Sequence, residues 1–347
     1  MFMQTKQLLF NKSSVDLSFI NDKSINLIVT SPPYPMIDMW NDSFSSQGIK
    51  IENDFDLMYE EMHRHLNLVW KECDRVLNDN GFICINIGDA VKNCNGVFKL
   101  FPNHAKIIDF FCKNNYCMLP TIIWSKPANS PNKFMGSGML PAGAYVTLEH
   151  EYILIFRKGS KREFKTKEDK LNRQKSAYFW EERNTWFSNI WDIKGSSQKI
   201  TNEDRTRSGA YPFEIPYRLI SMYSVKGDTI LDPFSGTGTT LLAAAATQRN
   251  GIGIELSTQI HELALKNVQN SKDFINSHID KRLQNHIEYI SSLSEEKKKK
   301  CYNNEFLKSL VKTNQEKFLE IFSLDKIKKN DDASFIFCYK KECSKNG

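Results

Sequence analysis

Short continuous apolar runs at residues 7–10, 25–29 and 82–87 predict strands, the last rich in β-branched residues and so buried on both faces. Across residues 55–77, Met58, Met62, Leu66, Val69 and Val76 recur at helical spacing, and Asn78-Asp79-Asn80-Gly81 reads as the stop of that helix. His63 and His65 fall on its surface in this reading. Residues 41–53 hold too few apolar positions for a core and read as a mobile loop. Residues 103–115 predict a helix, 117–124 and 151–157 strands. Later, 229–232 and 251–255 predict two more short strands with a helix at 241–247 between them, and another helix follows through His261 and Leu265. Beyond it the chain turns lysine-rich and polar, lowest at 295–300, before Phe306, Leu307, Leu310, Val311, Phe318, Ile321 and Phe322 suggest further helices.

With 347 residues, 40% of them hydrophobic, the chain can bury a substantial core as one large domain with an appendage. A net charge of +6 is compatible with a polyanionic partner and too mild to identify one. The first residues lack the basic segment and long apolar run of a secretory signal, and no later run is long enough to span a bilayer, so a cytoplasmic location is expected. The eight cysteines show no C-x-x-C pairing; the nearest approaches, Cys112 to Cys117 and Cys338 to Cys343, lack accompanying histidines, so reduced thiols and no metal are expected.

Two stretches carry chemistry. The strand ending at Val29 runs into Thr30-Ser31-Pro32-Pro33-Tyr34, where adjacent prolines fix φ, bias Ser31 toward extended geometry and remove two N–H donors. The Ser31 and Pro32 carbonyls are thereby left free to accept from a ligand. Tyr34 beside them offers a flat apolar face with a polar tip, suited to stacking on a planar base whose amine would donate to Ser31 and to the Pro32 carbonyl. The second stretch, Asp232-Pro233-Phe234-Ser235-Gly236-Thr237-Gly238-Thr239-Thr240, joins strand to helix, and the strand after that helix ends in Glu255. Such a βαβ unit brings backbone close to a ligand and an acid to the hydroxyls of a ribose. Thr239 and Thr240 follow where a dinucleotide fingerprint continues to a third glycine.

Together, D-P-F-x-G-x-G-T-T and T-S-P-P-Y in one chain resemble the amino-methyltransferases of DNA, over residues 6–270. The resemblance implies an α/β, Rossmann-like, S-adenosyl-L-methionine-dependent methyltransferase fold, circularly permuted into the order called beta, with residues 7–10 as the strand beyond Glu255 and Asn11 to Ser13 near the adenine. It divides the chain into a catalytic part at 1–158, a DNA-recognition insert at 159–210, a cofactor-binding part at 211–270 and a helical lysine-rich extension at 271–347. Ser31, Pro32, Pro33 and Tyr34 are implied as catalytic. Asp232 is implied near the methionine amino group; Phe234, Gly236, Gly238 and Thr239 around the nucleoside; Glu255 on the ribose; and Pro216, in a segment similar to the family's H-P-A-x-F-P-x-x-L-I, over the methionine end. Tyr211 and Ile215 depart from that pattern.

Trp124-Ser125-Lys126-Pro127-Ala128-Asn129 is similar to the family's W-x-K-P-N with Ala128 intervening, which leaves Lys126 as a phosphate or base contact or a solvated lysine. Asp89, at the end of the strand through Ile87, is a candidate to face the site or an ordinary turn former. In the insert, Lys161, Arg162, Lys165, Lys167, Lys170, Arg173 and Lys175 precede Tyr178, Phe179, Trp180, Trp186, Phe187 and Trp191; cations beside planar side chains suit phosphate neutralisation with base contact.

An exocyclic amine is a poor nucleophile because its lone pair is delocalised into the ring. Ser31 Oγ and the Pro32 carbonyl would take its hydrogens and aim the lone pair at the methyl carbon, once the base is flipped out of the duplex. Ring-carbon methylation needs a Pro-Cys nucleophile, and the chain has none. Serine at the first motif position resembles the cytosine-N4 enzymes; adenine-N6 remains the alternative, with an RNA or protein-amide methyltransferase and an inactive DNA-binding homologue further off. The resemblance also implies double-stranded DNA as partner and functional association with a restriction endonuclease of the same specificity.

Overall fold

The computed structural model of the protein describes residues 3–50, 54–94, 96–126, 140–143, 145–194 and 211–340. The chain forms β1 (Gln4–Asn11), β2 (Ile25–Thr30), α1 (Asn41–Ser45), α2 (Phe55–Val76), β3 (Leu77–Ile87), a hairpin of β4 (Ala90–Cys94) and β5 (Val97–Phe101), α3 (Asn103–Lys113), β6 (Tyr116–Met118), β7 (Ile122–Ser125) and β8 (His150–Lys158). Next come α4 (Lys167–Lys175), α5 (Trp180–Trp186), β9 (Ile190–Asp192), α6 (Glu214–Tyr223), β10 (Thr229–Asp232), α7 (Thr239–Ala246), β11 (Asn250–Glu255) and α8 (Thr258–Gln269). The chain continues through α9 (Lys272–Ser291), α10 (Glu295–Lys298), β12 (Tyr302–Asn303), β13 (Leu310–Val311), β14 (Leu324–Asp331) and β15 (Ser334–Tyr339).

Among the described residues one sheet runs β14-β15-β1-β11-β10-β2-β3-β8-β7-β9, with β6 also against β8. The strands from β1 to β3 in that order are parallel; β15 and β8 turn antiparallel on either side. In β1, Gln7 lies opposite Gly251 and Asn11 opposite Glu255, the position expected for residues 7–10. Strand alternation splits the core into two layers. Leu27, Val29 and Ile230 pack with α6 and α7 on one face, Ile28, Leu231 and Ile254 with α2 and α3 on the other. The chain goes from β10 through α7 to β11 on one side and from β2 through α2 to β3 on the other. The carboxyl ends of β10 and β2 therefore flank the point where the sheet's winding reverses, the usual crevice of such folds.

Several local expectations are corrected. The 78–81 stretch belongs to β3: Ile25 pairs with Leu77 and Leu27 with Phe82, so the extra residues are taken up as an irregularity of the strand, with Asn80 at positive φ. In the segment read as a mobile loop, Asn41–Ser45 is a short helix anchored by fully buried Phe44. Residues 117–124 form two strands, β6 and β7, parted at Pro120. His63, expected at the surface, is buried and meets Asn103 Oδ1 through Nε2 at 3.0 Å.

The extension opens with a helix, α9, but the apolar residues after position 305 do not form helices. Buried Asn304 accepts the Phe306 and Leu307 N–H groups and donates to the Glu316 and Leu319 carbonyls, so side-chain bonds fold that segment inward in place of a helical ladder. The β14–β15 hairpin then adds to the sheet beside β1. The 159–194 part of the insert also joins the main body: β9 pairs with β7, and Phe179, Trp186 and Trp191 are buried in the core rather than presented to a base. Trp180 and Phe187 remain exposed.

Candidate active site

Asp232 ends β10 and Thr30 ends the neighbouring β2. The Thr30 hydroxyl donates to Asp232 Oδ1 over 2.6 Å, and the Phe234 N–H donates to the same oxygen at 3.1 Å. Thr240 at the start of α7 donates to Oδ2, and the Tyr211 hydroxyl reaches that oxygen at 3.4 Å. The carboxylate is fully buried, and burial pushes its pKa up in spite of these donors. Asp232 therefore acts as a hub that locks the turn after β10 to the loop after β2.

That loop carries Ser31, Pro32, Pro33 and Tyr34 together, with both prolines buried. Gly88, after β3, lets the Tyr34 ring lie close: a Cβ on Gly88 would stand 3.0 Å from Tyr34 Cε2. The Tyr34 hydroxyl lies 3.0 Å from Ser31 Oγ and donates to Glu151 Oε2 at 2.8 Å. Asn86, the inward polar residue of β3, donates through Nδ2 to Glu151 Oε2 at 2.7 Å and to the Tyr34 oxygen at 2.8 Å. Lys126 closes the cluster with Nζ 2.6 Å from Glu151 Oε1. Burial first, then the Glu151 charge, raises the Tyr34 pKa well above its ordinary value, so the hydroxyl keeps its proton.

On the cofactor side, Gly236 and Gly238 adopt φ of +52° and +89°, conformations that glycine takes without strain, and Gly238 caps α7. A Cβ on Gly236 would meet nothing within 4 Å, so the turn borders open space. Glu255 Oε2 accepts the Gly236 N–H at 3.0 Å and Oε1 accepts the Ser257 N–H at 2.8 Å; burial raises its pKa. Asn11 of β1 donates to the Glu255 and Leu256 carbonyls and so sits beside the acid. An open glycine turn facing a carboxylate at the next strand end suits a nucleoside with ribose hydroxyls.

The profile of the N6/N4 DNA methylase family matches residues 25–266. The chain belongs to the DNA methylase family. It is 47% identical to the Type II methyltransferase M.MthZI of Methanothermobacter thermautotrophicus, across 98% of this chain and 96% of that one. To M.MjaI of Methanocaldococcus jannaschii it is 51% identical, covering 70% and 84%. A putative DNA modification methylase of Thermus thermophilus, TTHA0409, solved in complex with S-adenosyl-L-methionine, superposes with a TM-score of 0.60 at 31% identity, covering 75% of this chain and 92% of that one. The cytosine-N4-specific PvuII DNA methyltransferase shares the fold at a TM-score of 0.57 and 16% identity, covering 75% and 85%.

In this DNA methylase the remaining expected residues are distributed unevenly. Phe234 and Thr239 stand in the glycine turn and at the first position of α7. Pro216 is buried in the first turn of α6, and the link from its segment to the turn is Tyr211, whose hydroxyl bonds Thr240 as well as Asp232. Asp89 accepts both the backbone N–H and Nδ1 of His104 and so starts α3. Residues 127–139, with Asn129, lie outside the described residues.

The basic residues of the insert are not brought to the site. β8 runs antiparallel to β3, with Tyr152 opposite Ile87 and Arg157 opposite Phe82, so residues after Lys158 emerge at the amino edge of the parallel strands. There Arg162 pairs with Asp228, just before β10, and Lys175 with Glu320. Lys161, Lys165, Lys167, Lys170 and Arg173 are exposed around them, with Lys165 against Glu163 and Arg173 over the Phe164 ring.

Glu151 and Asn86 are the site residues that motif reading missed. Asn86 interrupts the apolar run 82–87 of β3 and Glu151 directly precedes the run 152–156 of β8; both are buried, a state polar groups rarely adopt without a partner.

Proposed function

We propose that this DNA methylase transfers a methyl group from S-adenosyl-L-methionine to the N4 amine of a cytosine flipped out of duplex DNA. The observation that carries the reading is the Thr30–Asp232 bond, which fastens the amine-accepting loop to the nucleoside-binding turn at adjacent strand ends. The cofactor, when bound, supplies a methyl carbon on sulfonium sulfur. Gly236 and Gly238 let the backbone approach it, and Glu255 takes its ribose hydroxyls. Ser31 Oγ and the Pro32 carbonyl accept the amine hydrogens, and the buried prolines keep those acceptors fixed while charge develops. Tyr34 stacks on the flipped base and offsets part of the few kcal/mol lost in unpairing.

Serine at position 31 favours cytosine over adenine in this reading. The early position of β1 and of the catalytic strand supports the permuted beta order. The Type II designation of relatives as similar as M.MthZI supports protection of a cognate restriction site, with the DNA face at the carboxyl edge of the sheet. No described helix is long and apolar enough to cross a membrane. The DNA substrate itself is what puts the protein in the cytoplasm in this reading.

The test is incubation of unmodified genomic DNA with the protein and methyl-labelled cofactor, then nucleoside digestion and mass spectrometry. N4-methylcytosine is expected. N6-methyladenine would leave the geometry standing and change the base; no labelled nucleoside would overturn the reading.

A further inference from the structure

Methyl transfer to an exocyclic amine leaves one proton too many on nitrogen. A serine hydroxyl can accept a hydrogen bond there, but it is too weak a base to keep the proton. The loop after β2 shows where the proton would go next. Ser31 Oγ is 3.0 Å from the Tyr34 hydroxyl, and that hydroxyl is 2.8 Å from Glu151 Oε2.

The direction of these bonds is fixed. The carboxylate only accepts, so the nitrogen of the Asn86 amide must face it, and the same nitrogen donates to the Tyr34 oxygen. Tyr34 has one hydrogen, and it points to Glu151. Its oxygen is left to accept from Asn86 and from Ser31. Lys126 meets Glu151 Oε1 from a side chain that is 55% exposed, which opens the far end of this chain of bonds to water.

We propose that Glu151 accepts the proton released in methyl transfer, acting through the Tyr34 and Ser31 hydroxyls; the inference rests on the amine-methylation reading above. As the nitrogen–carbon bond forms, the sulfur–carbon bond breaks and its electron pair stays on sulfur. The amine hydrogen passes to Ser31 Oγ, the Ser31 hydrogen to the Tyr34 oxygen, and the Tyr34 hydrogen to Glu151 Oε2. The sulfonium charge and the carboxylate charge disappear together, leaving a neutral methylated amine, a thioether and a carboxylic acid. Glu151 touches no substrate in this scheme. Tyr34 has two separate duties, a ring for the base and a hydroxyl for the relay.

The test uses the full chain and four variants, Tyr34→Phe, Glu151→Gln, Glu151→Ala and the double substitution of the first two. Single-turnover transfer of labelled methyl to unmodified genomic DNA is measured beside cofactor affinity by calorimetry and DNA affinity by filter binding. Tyr34→Phe keeps the ring and leaves Glu151, Asn86 and Lys126 in place, so it remains informative where Glu151→Gln folds poorly. Each single variant is expected to lose about 100-fold to 10,000-fold in rate, the usual worth of a positioned proton acceptor, with both affinities unchanged. The double variant should be no slower than the slower single, because both changes interrupt one path. Added formate should restore part of the rate to Glu151→Ala and none to Tyr34→Phe. A Glu151→Gln protein as fast as wild type overturns the inference, as does a double loss equal to the product of the single losses. A wild-type protein that methylates no DNA removes the reading beneath it.

Discussion

Thr30 Oγ1 and Asp232 Oδ1 stand 2.6 Å apart, both fully buried, on neighbouring parallel strands 202 positions apart in the chain. Replacing Thr30 by valine keeps the shape and removes the donor. The carboxylate keeps its other donors, so a stability loss of about 1–3 kcal/mol is expected, read by urea denaturation. Asp232→Asn puts an amide hydrogen against a hydroxyl or N–H donor and should lower cofactor affinity as well as stability. Calorimetry showing unaltered affinity in Asp232→Asn would remove Asp232 from its role as hub.

Glu255 divides its oxygens between the Gly236 and Ser257 N–H groups, and a ribose would add to those bonds. A lost hydrogen bond to a charged group is worth about 1.5–3 kcal/mol, so Glu255→Ala should weaken S-adenosyl-L-methionine about 10-fold to 100-fold. Glu255→Gln, with one acceptor oxygen left, should fall between. Titration calorimetry of both variants checks the order.

Burial lowers the pKa of His63 from 6.5 to about 4. Asn103 spends both amide hydrogens on the Pro35 and Gly88 carbonyls, so its Oδ1 needs a donor, and neutral His63 supplies the Nε2 hydrogen. As pH falls below 6.5 the unfolded chain takes up a proton that the folded chain refuses until about 4. The stability from this group is therefore complete above 6.5 and drains away toward 4, by at most about 3 kcal/mol. His63→Gln keeps a donor without the titration. Its denaturation midpoint should depend less on pH across that window than the wild type's does.

Arg162 and Lys175 are each held in an ion pair, with Asp228 and Glu320. Arg162→Ala would leave Asp228, which is 7% exposed, without its partner and should cost about 1 kcal/mol, since the arginine itself is partly solvated. The salt dependence of DNA affinity should not change in either single variant. A shallower slope in Arg162→Ala or Lys175→Ala would place phosphates at the amino edge after all.

Much of the cofactor half was legible because its residues are local. Asp232, Gly236, Gly238 and Glu255 lie within one βαβ unit, and each has a backbone reason to be where it is. The relay at Ser31 was half legible. Tyr34 and Ser31 are neighbours in a motif, whereas Glu151 reaches Tyr34 from 117 positions away and Asn86 from 52, and spacing carries no signal over such distances. Where the basic run at 161–175 lies was not legible for a related reason. Composition shows charge but not which edge of the sheet a strand delivers it to, and the antiparallel course of β8 decides that. The segment after Asn304 misled because apolar spacing was read as helix where one buried amide folds the chain by side-chain bonds.

The place of β1 bears on how the protein is made. This strand leaves the ribosome before both of its neighbours, β11 and β15, and Thr5 finds the Tyr339 hydroxyl 334 positions later. Until those partners emerge, both of its edges stand unpaired. Closure of so long a loop is slow, and a chain waiting in that state is open to strand exchange with its neighbours. The β14–β15 hairpin then has a protective duty: a nascent chain halted before residue 324 would carry β1 as a bare edge, and such fragments should collect in the insoluble fraction.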